Sequence, residues 1–140
     1  MTDRSLIDTG PLVAIYSEVD AEHERCILAL TKLTPPLLTC WPVLTEAAWL
    51  LRKRSDALLR IFQGFEHGLF ALPSLSADDL PAIAAILRRY EDIGLQLADA
   101  TLAYLADREG IRTVFTLDRR DFTIIRLKRN RALRLIPEVQ

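Results

Sequence analysis

What this sequence of 140 residues lacks removes several classes of protein at once. It has two cysteines, Cys26 and Cys40, in unrelated contexts, with no CxxC and no histidine at ligand spacing. Both are expected as buried thiols of a reducing compartment, and the pattern argues against a structural zinc site. No apolar stretch approaches the roughly 18 residues a membrane span requires. Glycine is scarce, at five residues, and there are no repeats or low-complexity tracts, so the chain is expected to be compact and largely helical. The opening Met1-Thr2-Asp3-Arg4 enters a strand too soon to leave room for a secretory leader, and the expected location is the cytoplasm. A net charge of -1 excludes whole-molecule attraction to nucleic acid, so any such attraction must come from a local patch.

What is present is a half-apolar chain in which four acidic residues stand at unusual positions. Asp8 ends the run Ser5-Leu6-Ile7, and Asp118 follows Thr113-Val114-Phe115-Thr116-Leu117. Glu46 sits within Val43-Leu44-Thr45-Glu46-Ala47-Ala48-Trp49-Leu50-Leu51, and Asp99 within Leu95-Gln96-Leu97-Ala98-Asp99-Ala100-Thr101-Leu102. Carboxylates facing a core are costly unless a positive group compensates them. None of the four has a matching base, which points to divalent cations and phosphate chemistry.

Short apolar strands near residues 6–7, 37–40, 68–72, 111–117 and 133–136 alternate with helical patterns. The helices are expected near 9–16, 21–33, 41–54, 55–66, 76–90 and 95–109. Cys26, Ile27 and Leu30 would form the inner stripe of the second helix. Such alternation gives an α/β fold with a mainly parallel sheet covered on both faces, in a single domain over residues 1–140. In open parallel sheets, sites form outside the carboxyl ends of the strands, where Asp8 and Asp118 stand. Glu46 and Asp99 lie early in their helices, whose N-terminal halves reach the same rim. Oxygen ligands without imidazole or thiolate suit Mg²⁺ or Mn²⁺. Thr9 and Thr116 flank two of the acids and could hold a water, a ligand oxygen or a phosphate.

Each acid has a plainer reading: Asp8 as a helix N-cap, Glu46 on a solvated stripe, Asp99 on a surface shared with Gln96 and Tyr104, Asp118 as turn chemistry. Four such coincidences in one chain are the weaker account. Trp41 and Trp49 are assigned to the core or a dimer interface. Arg119, Arg120, Arg126, Lys128, Arg129, Arg131 and Arg134 crowd the C-terminal quarter. A solvated face is the default for such a run, but beside an acidic cleft these cations would hold the phosphates of RNA.

The ordered set Leu6-Ile7-Asp8-Thr9-Gly10-Pro11, Thr45-Glu46-Ala47, Ala98-Asp99-Ala100-Thr101 and Thr116-Leu117-Asp118-Arg119-Arg120-Asp121-Phe122 resembles the PIN-domain family, closest to its VapC-type ribonuclease toxins. The resemblance runs through essentially the whole chain. It implies a three-layer α/β/α fold and a metal-dependent endoribonuclease in which Asp8, Glu46, Asp99 and Asp118 bind the ion. A metal-activated water would hydrolyse the phosphodiester to 5′-phosphate and 3′-hydroxyl ends. It also implies a homodimer and an antitoxin protein that covers the cleft. Two departures bear on detail. Gly10 stands where family members often carry Asn, and Asp121 competes with Asp118 as the last ligand, with Asp118 favoured and Asp121 supporting. The alternatives are a catalytically silent PIN-like RNA-binding or interaction module and an aspartyl-phosphate enzyme built on Asp8. The second fits poorly, because dehalogenase-type phosphatases need Asp-x-Asp where this chain has Asp8-Thr9-Gly10.

Overall fold

A computed structural model describes residues 3–138. Five short strands form its sheet: β1 (Ser5–Ile7), β2 (Leu37–Leu38), β3 (Phe70–Ala71), β4 (Thr113–Phe115) and a last strand, Arg134–Ile136. Their order is β3-β2-β1-β4 and then the last strand, and every neighbouring pair is parallel. All residues of β1, β2 and β4 are buried, which is why these strands read as continuous rather than alternating apolar runs. The chain builds outward from β1 through β2 to β3, then returns to lay β4 on the other side of β1. The reversal puts a topological switch point between β1 and β4, in the register Ser5–Thr113, Leu6–Val114 and Ile7–Phe115.

Helices α1 (Thr9–Tyr16), α2 (His23–Thr31), α3 (Trp41–Leu50), α4 (Ser55–Glu66), α5 (Leu80–Arg89), α6 (Leu97–Glu109) and α7 (Arg119–Ile124) flank the sheet. Pro11 and Pro42 lie in the first turns of α1 and α3, where a missing N–H costs nothing. A capping box, with the Ser76 hydroxyl accepting the Asp78 N–H and the Asp79 carboxylate accepting the Ser76 N–H, starts the 3₁₀ turn that leads into α5. Gly110 ends α6 in the left-handed conformation at φ 69°. α1 packs on α2, α3 and α4, and α6 packs on α5 and α3. Seven of the thirteen residues of α6 are buried apolar or small side chains and an eighth is Asp99, so this helix crosses the middle of the molecule.

Several expectations need correction. The inner stripe of α2 is Cys26, Ala29 and Leu30, with Ile27 turned outward. Trp41 and Trp49 are each 65 % exposed and so do not belong to the core. β4 is shorter than the apolar run that contains it, and α6 begins at Leu97 rather than Leu95. After α7 the chain forms a small antiparallel hairpin, β5 (Arg126–Leu127) with β6 (Arg131–Ala132), which the sequence reading did not anticipate. The sheet strand Arg134–Ile136 is therefore β7. The hairpin turns through Arg129 at φ 63° and Asn130 at φ 60°. Two successive left-handed residues without glycine cost on the order of 1 kcal/mol each. Cys26 and Cys40 are both buried and unpaired, as expected.

Candidate metal centre

The site is assembled around Thr116, the first residue beyond β4. Its amide donates to the Ile136 carbonyl at 2.9 Å, which extends the pairing of β4 with β7. Its fully buried hydroxyl donates to Asp8 Oδ2 at 2.8 Å and accepts the Asp118 N–H at 2.9 Å. One hydroxyl thus fixes the acid that follows β1 and the backbone of the acid that follows β4. The Asp8 amide donates to the Phe115 carbonyl at 2.9 Å, so Asp8 is held by main chain and side chain together. Asp8 occupies the N-cap position of α1, yet its carboxylate makes no capping hydrogen bond. The plain N-cap reading fails on that point. Nearby, the Thr9 hydroxyl donates to Glu46 Oε2 at 3.1 Å and ties the start of α1 to α3.

Asp99 lies in the first turn of α6, 8 % exposed. Oxygens of Asp99, Asp118 and Asp121 come within 4.8 Å of one another. Burial pushes the Asp99 carboxyl up to about 7, with further contributions from the charges of Asp8, Asp118, Asp121 and Glu46. Asp8 is pushed up to about 6, again chiefly by burial; the Thr116 hydrogen bond opposes the rise, and Glu46 and Asp118 add to it. Five carboxyl groups therefore act on one another in one cleft, at the switch point between β1 and β4. Repulsion of this kind is relieved by a cation, and an all-carboxylate donor set fits a hard divalent ion.

The cluster differs from its sequence-level description in two ways. Asp8 and Asp99 are buried, whereas Glu46 and Asp118 are exposed. The premise that all four acids face the core is thus corrected. Asp121, treated above as the lesser candidate beside Asp118, is buried and joins Asp99 and Asp118. Cys40, just ahead of α3 and expected only as a buried thiol, is pushed up to about 12 by burial, with the charges of Asp8, Glu46 and Asp99 contributing. Its only sequence signal is its position six residues before Glu46.

The basic residues divide. Arg120 is extended into solvent with its Nε 3.7 Å from Asp121, and Arg119 donates to the Pro137 carbonyl at 2.7 Å, both next to Asp118. Arg126 folds back onto the carbonyls of Thr123 at 2.7 Å and Ile125 at 3.0 Å, satisfying the end of α7. Lys128, Arg129 and Arg131 lie in the hairpin against the far end of α6, away from the carboxylates.

The chain belongs to the PIN-domain family, whose model matches residues 5–128. It is similar to Ribonuclease VapC26 of Mycobacterium tuberculosis, at 30 % identity over 123 residues that span 86 % of this chain and 91 % of that protein. Among solved structures, its fold is similar to that of Mycobacterium tuberculosis VapC20, a toxin that cleaves the sarcin–ricin loop. That match has a TM-score of 0.73 at 20 % identity and covers 83 % of this chain and 91 % of the other. It is also similar to a chain of VapBC2 from Rickettsia felis bound to a DNA fragment from their promoter. There the TM-score is 0.64 at 17 % identity, covering 94 % of this chain and 98 % of that one.

Thr116→Val keeps the shape of the side chain while removing both hydrogen bonds at the heart of the site. Its expected effect is a loss of divalent-ion affinity of about 10–100-fold with the fold retained, the usual scale for groups that orient metal ligands. Calorimetric titration with Mn²⁺ beside a thermal melt checks it; unchanged affinity would remove Thr116 from the site.

Proposed function

We propose that this protein is a Mg²⁺- or Mn²⁺-dependent endoribonuclease, the toxin of a toxin–antitoxin pair acting in the cytoplasm as a homodimer restrained by an antitoxin. The observation that carries the proposal is the convergence of Asp8, Glu46, Asp99, Asp118 and Asp121 on one cleft, with two of them held at raised pKa by burial and mutual repulsion. A catalytically silent binding module gains nothing from such an arrangement. Similarity to Ribonuclease VapC26 over most of both chains supports RNA as the substrate.

Asp8, Asp99, Asp118 and Asp121 would hold the ion, with Glu46 completing the set from α3. A divalent ion in such a site supplies Lewis acidity to the phosphodiester and lowers the pKa of water. Thr116 keeps Asp8 and the backbone of Asp118 in place, and Thr9 aims Glu46. Arg119 and Arg120 stand where they offset the repulsion between an acidic cleft and a polyanion. Exposed Trp49 and Leu50 on α3, with Leu59 and Phe62 on α4, provide apolar surface for a partner chain. Among the described residues no helix is long and apolar enough to cross a membrane.

The test is incubation of total cellular RNA with the purified protein, with Mn²⁺ or Mg²⁺ and with EDTA. Discrete fragments carrying 5′-phosphates should accumulate only with the metal. Cleavage that persists unchanged in EDTA would overturn the assignment.

A further inference from the structure

The basic hairpin has no part in the cleft, yet it is built with care. Lys128 donates its amide to both oxygens of Asp107, at 3.0 and 3.3 Å, which fastens the turn to the last part of α6. The Arg112 guanidinium donates to the Ala132 carbonyl at 3.3 Å and braces the other arm. Between them lies a cavity of about 250 Å³ lined by the four cations Arg112, Lys128, Arg129 and Arg131 and by one acid, the Asp107 that accepts the Lys128 amide. Among the described residues, none of these four cations forms an ion pair with an acidic side chain. The turn holds Arg129 in a left-handed conformation that glycine would occupy without strain. A bulky cation is thus presented at the tip of a pinned, strained turn, next to an open concavity.

α6 connects this place to the cleft, with Asp99 in its first turn and Asp107 eight residues later. At 1.5 Å per residue the axial separation is about 12 Å, which spans about four phosphates along one strand of a duplex. Lys and Arg side chains without acidic partners bind phosphate groups through charge rather than base identity.

Resting on the nuclease reading above, we infer that the hairpin 126–132 is a second RNA-binding site, which grips the backbone of the substrate at the opposite end of α6 from the scissile phosphate. The substrate class that follows is a folded or extended RNA long enough to reach both places; a dinucleotide fills the cleft alone. The charges of Lys128, Arg129 and Arg131 hold the substrate and take no part in bond cleavage.

The experiment compares wild type with the triple variant K128Q/R129Q/R131Q, first confirming equal melting temperatures. Binding of unfractionated transfer RNA is measured in EDTA over a range of salt, and steady-state cleavage with Mn²⁺ is measured on that RNA and on an RNA dinucleotide. The triple variant should bind transfer RNA at least about tenfold more weakly, with the salt slope reduced by about 2. KM for the long RNA should rise with kcat unchanged, and kcat/KM for the dinucleotide should stay the same. Equal losses on both substrates would mean that the cations act at the cleft and would overturn the proposal. Unchanged binding and salt slope would overturn it too and leave the hairpin to an acidic protein partner. A wild type that neither binds nor cuts any RNA would instead sink the nuclease reading itself.

Discussion

Replacing Asp99 by Asn should abolish RNA cleavage and at the same time make the metal-free protein more stable. Asp99 is 8 % exposed in the first turn of α6, its carboxyl raised to about 7 by burial and by the surrounding acids. At pH 8 it is ionised in the folded protein and pays the cost of desolvation and of facing the charges of Asp8, Asp118, Asp121 and Glu46. Asn keeps the shape and removes the charge. The melting temperature in EDTA at pH 8 should therefore rise, by about 5 °C if the relief is between one and two kcal/mol. Activity should move the other way, falling by about 10²–10³-fold or more, the scale on which single electrostatic contributors are lost from active sites. The Mn²⁺-induced stabilisation should shrink with it. Retained activity would remove Asp99 from the ligand set, and an inactive variant with a lowered melting temperature would mean that the residue serves the fold.

The second large effect is a stability profile that runs opposite ways with and without metal. Asp8 and Asp99 have folded-state values of about 6 and about 7 against 3.8 for the ordinary carboxyl. Well below pH 3.8 both are protonated in the folded and the unfolded chain, and their favourable contribution is complete. As pH rises, the unfolded chain releases these protons first while the folded chain retains them, so stability declines until about pH 7. For Asp8 alone the shift corresponds to on the order of 3 kcal/mol. In EDTA the protein should thus melt several degrees higher at pH 5 than at pH 8. A divalent ion needs the ionised carboxylates, so saturating Mn²⁺ should raise the melting temperature strongly at pH 8 and little at pH 5. At a hundredfold excess over the dissociation constant the gain is about 2.7 kcal/mol. A metal-free protein more stable at pH 8 than at pH 5 would contradict the assigned burial of these acids, and an equal metal effect at both would show that the ion binds elsewhere.

Much of the frame can be read from residue pattern alone, for physical reasons. β1 and β4 are buried on both faces, so they appear as apolar runs, and an acid placed directly after such a run marks a strand's carboxyl end. Asp8 and Asp118 are legible in this way. Asp99 is legible because α6 is lined with buried small and apolar residues and has little room for a charge without purpose. Glu46 was placed at the site for a reason that does not hold. α3 buries Val43, Leu44 and Ala47, yet it runs at the edge of the molecule and leaves Trp41, Trp49 and Leu50 exposed, so apolar neighbours do not imply a buried position. α7 has six residues, too few for a helical period to reveal which of Asp118 and Asp121 turns inward; both reach the cluster. The hairpin was invisible because its left-handed turn is made by Arg129 and Asn130, without the glycine that normally signals one. Its cations were accordingly assigned to the cleft, when the end of α6 carries them to the other pole.

Thr116 makes the centre depend on residues from both ends of the chain. Its hydroxyl holds Asp8, and the strand before it pairs with β1 across more than a hundred residues of sequence. Contacts of such long range form late in folding, because the intervening chain must first be closed into a loop. During synthesis, a chain interrupted anywhere before β4 has Asp8 without its anchoring hydroxyl and lacks Asp118 and Asp121 entirely. A ribosome making this protein would therefore carry no functional nuclease until β4 and the acids that follow it had emerged, and fragments abandoned earlier would be harmless.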